Sequence, residues 1–287
     1  MISIVIPALN EAHGVGAAVA NICSVMTSAN LVPFEIIVVD DGSTDETGIV
    51  AIAAGARVVR HPHNLGYGRS LKKGIESAIY ETIVISDADG TYPATAIPEI
   101  VSLYNEGFDM VVGQRHGPHY RESILKMPLR AILRFLVEWT AGRRIPDINS
   151  GLRVFSRNAV MKYFPHLCDT FSFTTSLTLA YMMTNRFVTY YRIDYFERSG
   201  RSKVRLFRDS LRTLQYVIEA ILYYNPLKIF LLFSLMCLAI ATPMMLASLY
   251  FSVVTGVMLA VGIAMVAVIM LGIGMLAVLL KQIMDKG

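Results

Sequence analysis

The chain has 287 residues, 54% of them hydrophobic and 17% charged, with a net charge of +4 at pH 7. So small a surplus does not define a nucleic-acid binder, and three scattered cysteines (Cys23, Cys168, Cys237) have neither metal-binding nor redox spacing, which fits buried thiols in a reducing compartment. Charge is also unevenly spread: Ile229 to Leu280 contains no Asp, Glu, Lys, Arg or His.

Taken in chain order, apolar and β-branched runs at Ile2–Ile6, Glu35–Val39, Arg57–Val59, Thr82–Ser86 and Met110–Val112 predict strands. The intervening segments 14–29, 45–54, 68–80 and 94–106 have helix length. Because Ile2–Ile6 already reads as a buried strand, no signal peptide is expected before it. Strands alternating with helices imply an α/β fold with a mainly parallel sheet covered on both faces. In such sheets ligands sit beyond the carboxyl ends of the strands. The acids fall there: Asn10-Glu11 after the first strand, Asp40-Asp41 after the second, Asp87-Ala88-Asp89 after the fourth.

Two carboxylates one residue apart, as in Asp87 and Asp89, suit a shared Mg²⁺ or Mn²⁺ completed by phosphate oxygens and water, although an isolated D-x-D is often only an acidic turn. Asp40-Asp41-Gly42-Ser43-Thr44-Asp45 admits two readings, a helix cap and turn or a site for ribose or base. The chain has no G-x-x-x-x-G-K-[ST] phosphate loop and no G-x-G-x-x-G after its first strand, which excludes those two nucleotide folds.

From 113 onward the pattern is less regular. Seven Lys/Arg against two Glu lie between Arg115 and Arg144, and six against one Asp between Arg198 and Arg212. A helix is predicted over Glu122–Ala141, on which Lys126, Arg130 and Arg134 form one cationic stripe. That stripe is either a solvated basic face or a collector of phosphate. A second helix is predicted over Thr174–Met183. Leu206–Tyr224 reads as an amphipathic helix, either lying in a membrane interface or packed on the preceding domain. The uncharged stretch that follows is long enough for two crossings, near 229–251 and 257–280, because about 20 apolar residues span a bilayer as a helix. Lys228 and Lys281 flank this hairpin, and its turn at Ser252, Thr255 and Gly256 carries no charge. The positive-inside rule therefore puts the large N-terminal part in the cytoplasm, on a cell membrane. Gly256, Gly262, Gly272 and Gly274 serve either a homo-oligomer or the hairpin's own packing.

Ile4-Val5-Ile6-Pro7-Ala8-Leu9-Asn10-Glu11, Asp40-Asp41-Gly42-Ser43, Asn64-Leu65-Gly66-Tyr67-Gly68 and Asp87-Ala88-Asp89 together resemble the GT-A, family 2 glycosyltransferases. More narrowly, Gly113-Gln114-Arg115, Asp147 to Arg153 and Gly200-Arg201-Ser202-Lys203 resemble the enzymes that charge dolichyl or undecaprenyl phosphate with a sugar. The resemblance covers residues 1–205 and implies a Rossmann-like GT-A domain, with a nucleotide-binding half at 1–112 and an acceptor half at 113–205. An interfacial helix at 206–226 and a membrane hairpin at 227–287 complete the expected organisation.

By this resemblance Pro7, Leu9, Glu11, Val38 and Asp40 hold the nucleoside of a UDP- or GDP-sugar, and Asp87 and Asp89 bind the metal and diphosphate. Arg115 and Lys203, with Arg198 less well aligned, meet donor or acceptor phosphates. Lys126, Arg130 and Arg134 align with the acceptor-phosphate region, and Asp147 lies beside the reacting sugar as base or orienter; apart from the resemblance, charge balance makes Arg153 a candidate partner for the acid there. Leu9 stands where an aromatic is frequent, and Thr91 where some relatives carry a Gln metal ligand. Two alternatives share these residues. A polysaccharide synthase of the same fold would carry Q-x-x-R-W, which the sole tryptophan, Trp139, does not form. A non-catalytic nucleotide-binding scaffold would not need both Asp87 and Asp89.

Overall fold

A computed structural model describes residues 1–117, 135–140, 142–196 and 206–284. The helices and strands fall into two compact units, 1–217 and 218–287.

The first unit is a seven-stranded sheet with helices on both faces. Strands β1 (Ile2–Ala8), β2 (Phe34–Asp40), β3 (Arg57–Arg60) and β4 (Thr82–Ile85) pair in parallel, in the order β3-β2-β1-β4. The order continues β6-β5-β7, with β5 at Met110–His116, β6 at Arg153–Ser156 and β7 at Val188–Asp194. β6 runs antiparallel to both β4 and β5, while β5 and β7 are parallel.

Every residue of β1 is buried, and its side chains divide between the two faces with period two. Ile2, Ile4, Ile6 and Ala8 pack in a core with α1 (Val15–Ser28) and α4 (Ala96–Asn105), including Val15, Val19, Ile22, Met26, Ile97 and Ile100. The spacing of Val15, Val19, Ile22 and Met26 is one helix face, and burying each such side chain contributes roughly 1.5–3 kcal/mol. On the opposite face α3 (Tyr67–Ser77) lies so close that a Cβ on Gly74 would come within 2.3 Å of Val5 Cγ1. Only glycine allows that approach.

The antiparallel insertion of β6 decides what reaches the ligand edge. Parallel strands β1, β2 and β4 deliver their carboxyl ends there, with Ala8 beside Asp40 and Val5 beside Ile85. β6 points the other way, so the loop entering it, residues 147–152, arrives at the same edge as the end of β5. Among the described residues this unit also holds α2 (Thr47–Ala53), a short helical run at 135–140 (α5), α6 (Arg157–Met161), a 3-10 turn at Phe164–His166 and α7 (Phe173–Met183). The predicted helix over Glu122–Ala141 is therefore seen only at 135–140, and its other residues lie outside the described ones.

Helix α8 (Leu206–Tyr224) runs from the first unit into the second. Asn225 breaks it, and Pro226 opens α9 (Pro226–Tyr250), which a three-residue turn joins to α10 (Val254–Met284). Ser252 takes φ +54° in that turn. Both α9 and α10 are long and apolar enough to cross a membrane. Small buried residues recur every seventh position on each: Ser234, Ala241 and Ser248 on α9, Ala260 and Ala267 on α10, with Gly274 continuing the row. A strict seven-residue period is the seam of two closely packed helices. Of the four glycines, Gly256 abuts Ser248 and Gly274 abuts Phe230 within the hairpin, while Gly262 and Gly272 have nothing within 4 Å of a built Cβ. Lys281 Nζ donates to the Tyr224 carbonyl at 2.7 Å, placing a cation at the end of α8.

Candidate active site

The loop after β1 and the loop after β2 are stitched together by side chains. Asn10 adopts φ +51° and its Oδ1 accepts the Thr44 amide at 2.8 Å, while the Asn10 amide donates to Ser43 Oγ at 2.9 Å. The Glu11 amide donates to Thr47 Oγ1 at 2.8 Å, and the Ala12 amide to Asp45 Oδ2 at 3.3 Å. Burial pushes the Asp45 carboxyl up, but hydrogen bonds from Thr47 and Ala12 outweigh it and hold the group below its usual range.

The acids ending β2 complete this framework. Asp40, 1% exposed, accepts the Ser43 amide at 2.8 Å and lies 3.4 Å from Arg60 Nε. Asp41 is also buried, and takes the Leu65 and Gly66 amides at 2.9 Å each while sharing a 2.8 Å hydrogen bond with His61 Nδ1. Asp41, just past the end of β2, thereby fixes the start of α3.

The acids after β4 are held differently. Asp87 Oδ1 accepts the Tyr67 hydroxyl at 3.0 Å, and the Gly151 backbone presses on the same carboxylate, where a Cβ would come 2.8 Å from Oδ2. Burial first, and the Asp87 charge next, push the Tyr67 hydroxyl well above its ordinary pKa, so it stays a proton donor. Asp89 is buried and its Oδ1 accepts the Thr91 hydroxyl at 2.7 Å and amide at 3.2 Å. Thr91 thus orients this carboxylate. Gly14, opening α1, lies against the turn between the two acids, with a built Cβ 2.9 Å from the Ala88 carbonyl.

A third group comes from β5 and the loop before β6. Arg115 forms a two-pronged ion pair with Asp147, Nε to Oδ2 at 2.8 Å and Nη2 to Oδ1 at 2.9 Å. The Arg115 and Asn149 amides add contacts to the Asp147 carboxylate at 3.2 and 3.1 Å. The Arg115 guanidinium also lies 5.4 Å from the centre of the Tyr195 ring, which packs edge-on against Tyr92. The Tyr92 oxygen accepts the Gly151 amide at 2.6 Å, tying this group to Asp87. Arg153, expected beside Asp147, instead donates to the Ser150 and Ile148 carbonyls and to Thr178 Oγ1, bracing the loop from inside the core. Burial lowers its pKa.

Among the sequence-selected residues, Asp87, Asp89, Arg115 and Asp147 come to one edge, joined through Gly151 and Tyr92. Pro7 and Val38 are buried in their strands beneath the loops after β1 and β2, and Leu9 and Glu11 are half-buried in the first of these loops. Lys126, Arg130, Arg134, Arg198 and Lys203 lie outside the described residues. Residue patterns did not single out Tyr67, Tyr92, Gly151 or Tyr195 individually. Their partners stand tens of positions away in the chain, and only the glycines flanking Tyr67 hinted at a close approach.

A mainly parallel seven-stranded sheet with acids at its strand ends has GT-A architecture, the fold of a class of glycosyltransferases. The chain belongs to glycosyl transferase family 2, whose model matches residues 3–164. It is 34% identical over 170 residues to an uncharacterized protein of Methanocaldococcus jannaschii, covering 56% of this chain and 67% of that one. It is 27% identical over 197 residues to the undecaprenyl-phosphate 4-deoxy-4-formamido-L-arabinose transferase of Yersinia enterocolitica, covering 62% of this chain and 58% of that one. The chain thus spans little more than half of the latter's length. Among solved structures, glucosyl-3-phosphoglycerate synthase from Mycobacterium tuberculosis, in complex with Mn²⁺, uridine diphosphate and glucosyl-3-phosphoglycerate, shares the fold with a TM-score of 0.59. It is 24% identical, and the match covers 77% of this chain and 79% of that one.

Proposed function

We propose that this protein transfers a single sugar from a UDP- or GDP-sugar to a polyprenyl phosphate at the cytoplasmic face of a membrane, inverting the anomeric centre. The observation that carries the reading is the meeting of Asp87, Asp89, Arg115 and Asp147 at one sheet edge, in a chain that also has two membrane-length helices. The curated relatives that act on undecaprenyl phosphate support the acceptor class.

The donor set fits a divalent cation. Asp87 and Asp89 offer hard oxygens, and the missing side chain of Gly151 keeps the Asp87 carboxylate free of a clash at 2.8 Å. Carboxylate oxygens suit Mg²⁺ or Mn²⁺, which share their remaining positions with diphosphate and water. When bound, the cation neutralises charge developing on the leaving nucleoside diphosphate.

The protein's own groups supply orientation. Pro7, Leu9, Glu11 and Val38 shape the nucleoside pocket, and Asp40 contributes by holding the 40–43 turn. Arg115 faces the phosphates with its guanidinium already aligned by Asp147. The Asp147 carboxylate engages two guanidinium nitrogens and two amides, which supports orienting Arg115 over acting as a base. A phosphate acceptor is anionic near neutral pH and needs placement more than deprotonation. Lys126, Arg130, Arg134, Arg198 and Lys203 gather that phosphate.

The test is transfer from a panel of radiolabelled UDP- and GDP-sugars to polyprenyl phosphate in detergent, with and without Mn²⁺. One chelator-sensitive, singly glycosylated lipid is the expected product. Nucleotide binding without a lipid product from any donor would turn the reading towards another acceptor.

A further inference from the structure

Tyr67 is held on every side before its hydroxyl is considered. It opens α3 between two glycines whose backbone lies against the segment leading to α7: a Cβ on Gly66 would come 2.9 Å from the Asp169 carbonyl, and one on Gly68 2.3 Å from the Cys168 carbonyl. The Arg69 amide donates to the Asp169 carbonyl at 3.0 Å. One turn on, the buried Lys72 ammonium reaches the Leu167 carbonyl and the Asp169 carboxylate, each at 2.6 Å. The Tyr67 ring stacks on Phe171 with centroids 5.7 Å apart and planes 17° from parallel. Phe171 remains 47% exposed, so one face of it is covered by this stack while much of the ring still meets solvent.

From this fixed position the hydroxyl donates to Asp87 Oδ1, while Gly151 abuts Oδ2 of the same carboxylate. An aspartate beyond a strand end has two side-chain torsions, and a cation that binds it must freeze them. Here the Tyr67 hydrogen bond and the nearby Gly151 backbone already restrict them. Outer partners of metal-binding carboxylates act in this way, and losing one typically costs about 10–100-fold in metal affinity.

We infer that Tyr67, backed by Phe171, is a positioning residue that presets the Asp87 carboxylate for a divalent cation. The inference rests on the sugar-transfer reading above. It assigns a task to a side chain separated from Asp87 by 20 positions, and gives the 168–171 segment a part in cation affinity.

The experiment uses the full-length protein in detergent with Mn²⁺ and a nucleoside diphosphate, reading bound Mn²⁺ by electron paramagnetic resonance. Tyr67→Phe keeps the ring and its stack and removes only the hydroxyl. Its Mn²⁺ dissociation constant is expected to rise about tenfold, with the thermal midpoint unchanged and turnover largely restored at saturating Mn²⁺. A purely structural tyrosine would instead shift the thermal midpoint and leave Mn²⁺ affinity alone, which would overturn the inference. If Tyr67→Phe does not fold, Phe171→Ala carries the test: about threefold weaker Mn²⁺ binding supports the inference, and unchanged binding overturns it. Asp89→Ala separates the two levels. Retained Mn²⁺ affinity in that variant removes the metal reading itself. Lost affinity there, alongside wild-type affinity in Tyr67→Phe, removes only the role of Tyr67.

Discussion

Two pairs of acids flank β1 at the same edge of the sheet, Asp40-Asp41 at the end of β2 and Asp87-Asp89 just beyond β4, and their surroundings differ. Asp40 and Asp41 accept three backbone amides and face Arg60 and His61, so they hold loops in place. Asp87 accepts the Tyr67 hydroxyl, and Asp89 accepts the Thr91 hydroxyl and amide. Backbone amides tie a carboxylate to the loops that carry them, whereas a side-chain hydroxyl sets the direction in which the carboxylate points. The same residue types at equivalent strand ends thus serve architecture in one place and, in the proposed reading, cation binding in the other.

Four substitutions test this contrast, taken from the largest effect. Asp89→Ala should lower sugar transfer by at least ~10²-fold, with circular dichroism and thermal midpoint near wild type, since it removes charge stabilisation of the leaving group. Substantial turnover by the folded variant would erase the difference between the pairs.

Asp41→Asn should act through stability. It leaves buried donors poorly matched, which costs about 1–3 kcal/mol. For a unit of this size that lowers the melting midpoint by roughly 2–12 °C in a thermal scan. The folded fraction should keep its Mn²⁺ affinity; a selective loss would place Asp41 in the cation site.

Gly151→Ala pushes a methyl group to 2.8 Å from Asp87 Oδ2. The outcome expected in Mn²⁺ titration is about tenfold weaker binding with little change in stability.

The smallest effect concerns Glu35, an anchoring acid away from the site that accepts from Ser3, the Ile79 amide and Arg57. Burial pushes its pKa up, but the Ile79, Ser3 and Arg57 contacts outweigh this and leave it lowered. A lowered folded pKa stabilises above the unfolded value of about 4.3, and the benefit is lost as pH falls through the folded value. Glu35→Gln should therefore cost about 1 kcal/mol at pH 7, measured by urea unfolding, and the two proteins should converge in acid.

The alternating strands and helices of the first 112 residues were legible because their cores are local and periodic. Predicted Ile2–Ile6 is observed as Ile2–Ala8, 14–29 as Val15–Ser28, and 94–106 as Ala96–Asn105. Predicted 68–80 ends sooner, at Ser77. Both apolar helices of the hairpin were also visible, being set by length and the absence of charge. The strands β6 and β7 were not. Arg153–Ser156 is four residues long and begins with a charged side chain, so its strand character comes from pairing with β4 and β5. The acids at the strand ends were readable as types; the guanidinium that meets Asp147 was not, since Arg115 and Arg153 are equally plausible partners in a string of letters.

Residue order was enough to set the α/β class, the acids beyond the strands and the apolar hairpin, because each depends on hydrophobic periodicity or on chemistry carried within a few neighbouring positions. Tertiary structure alone decided that β6 runs backwards, that Arg115 closes on Asp147, and that Tyr67 and Gly151 grip Asp87. Those outcomes depend on which distant backbones pair and in what register, a choice made by the summed packing of the whole sheet and by no short segment of it.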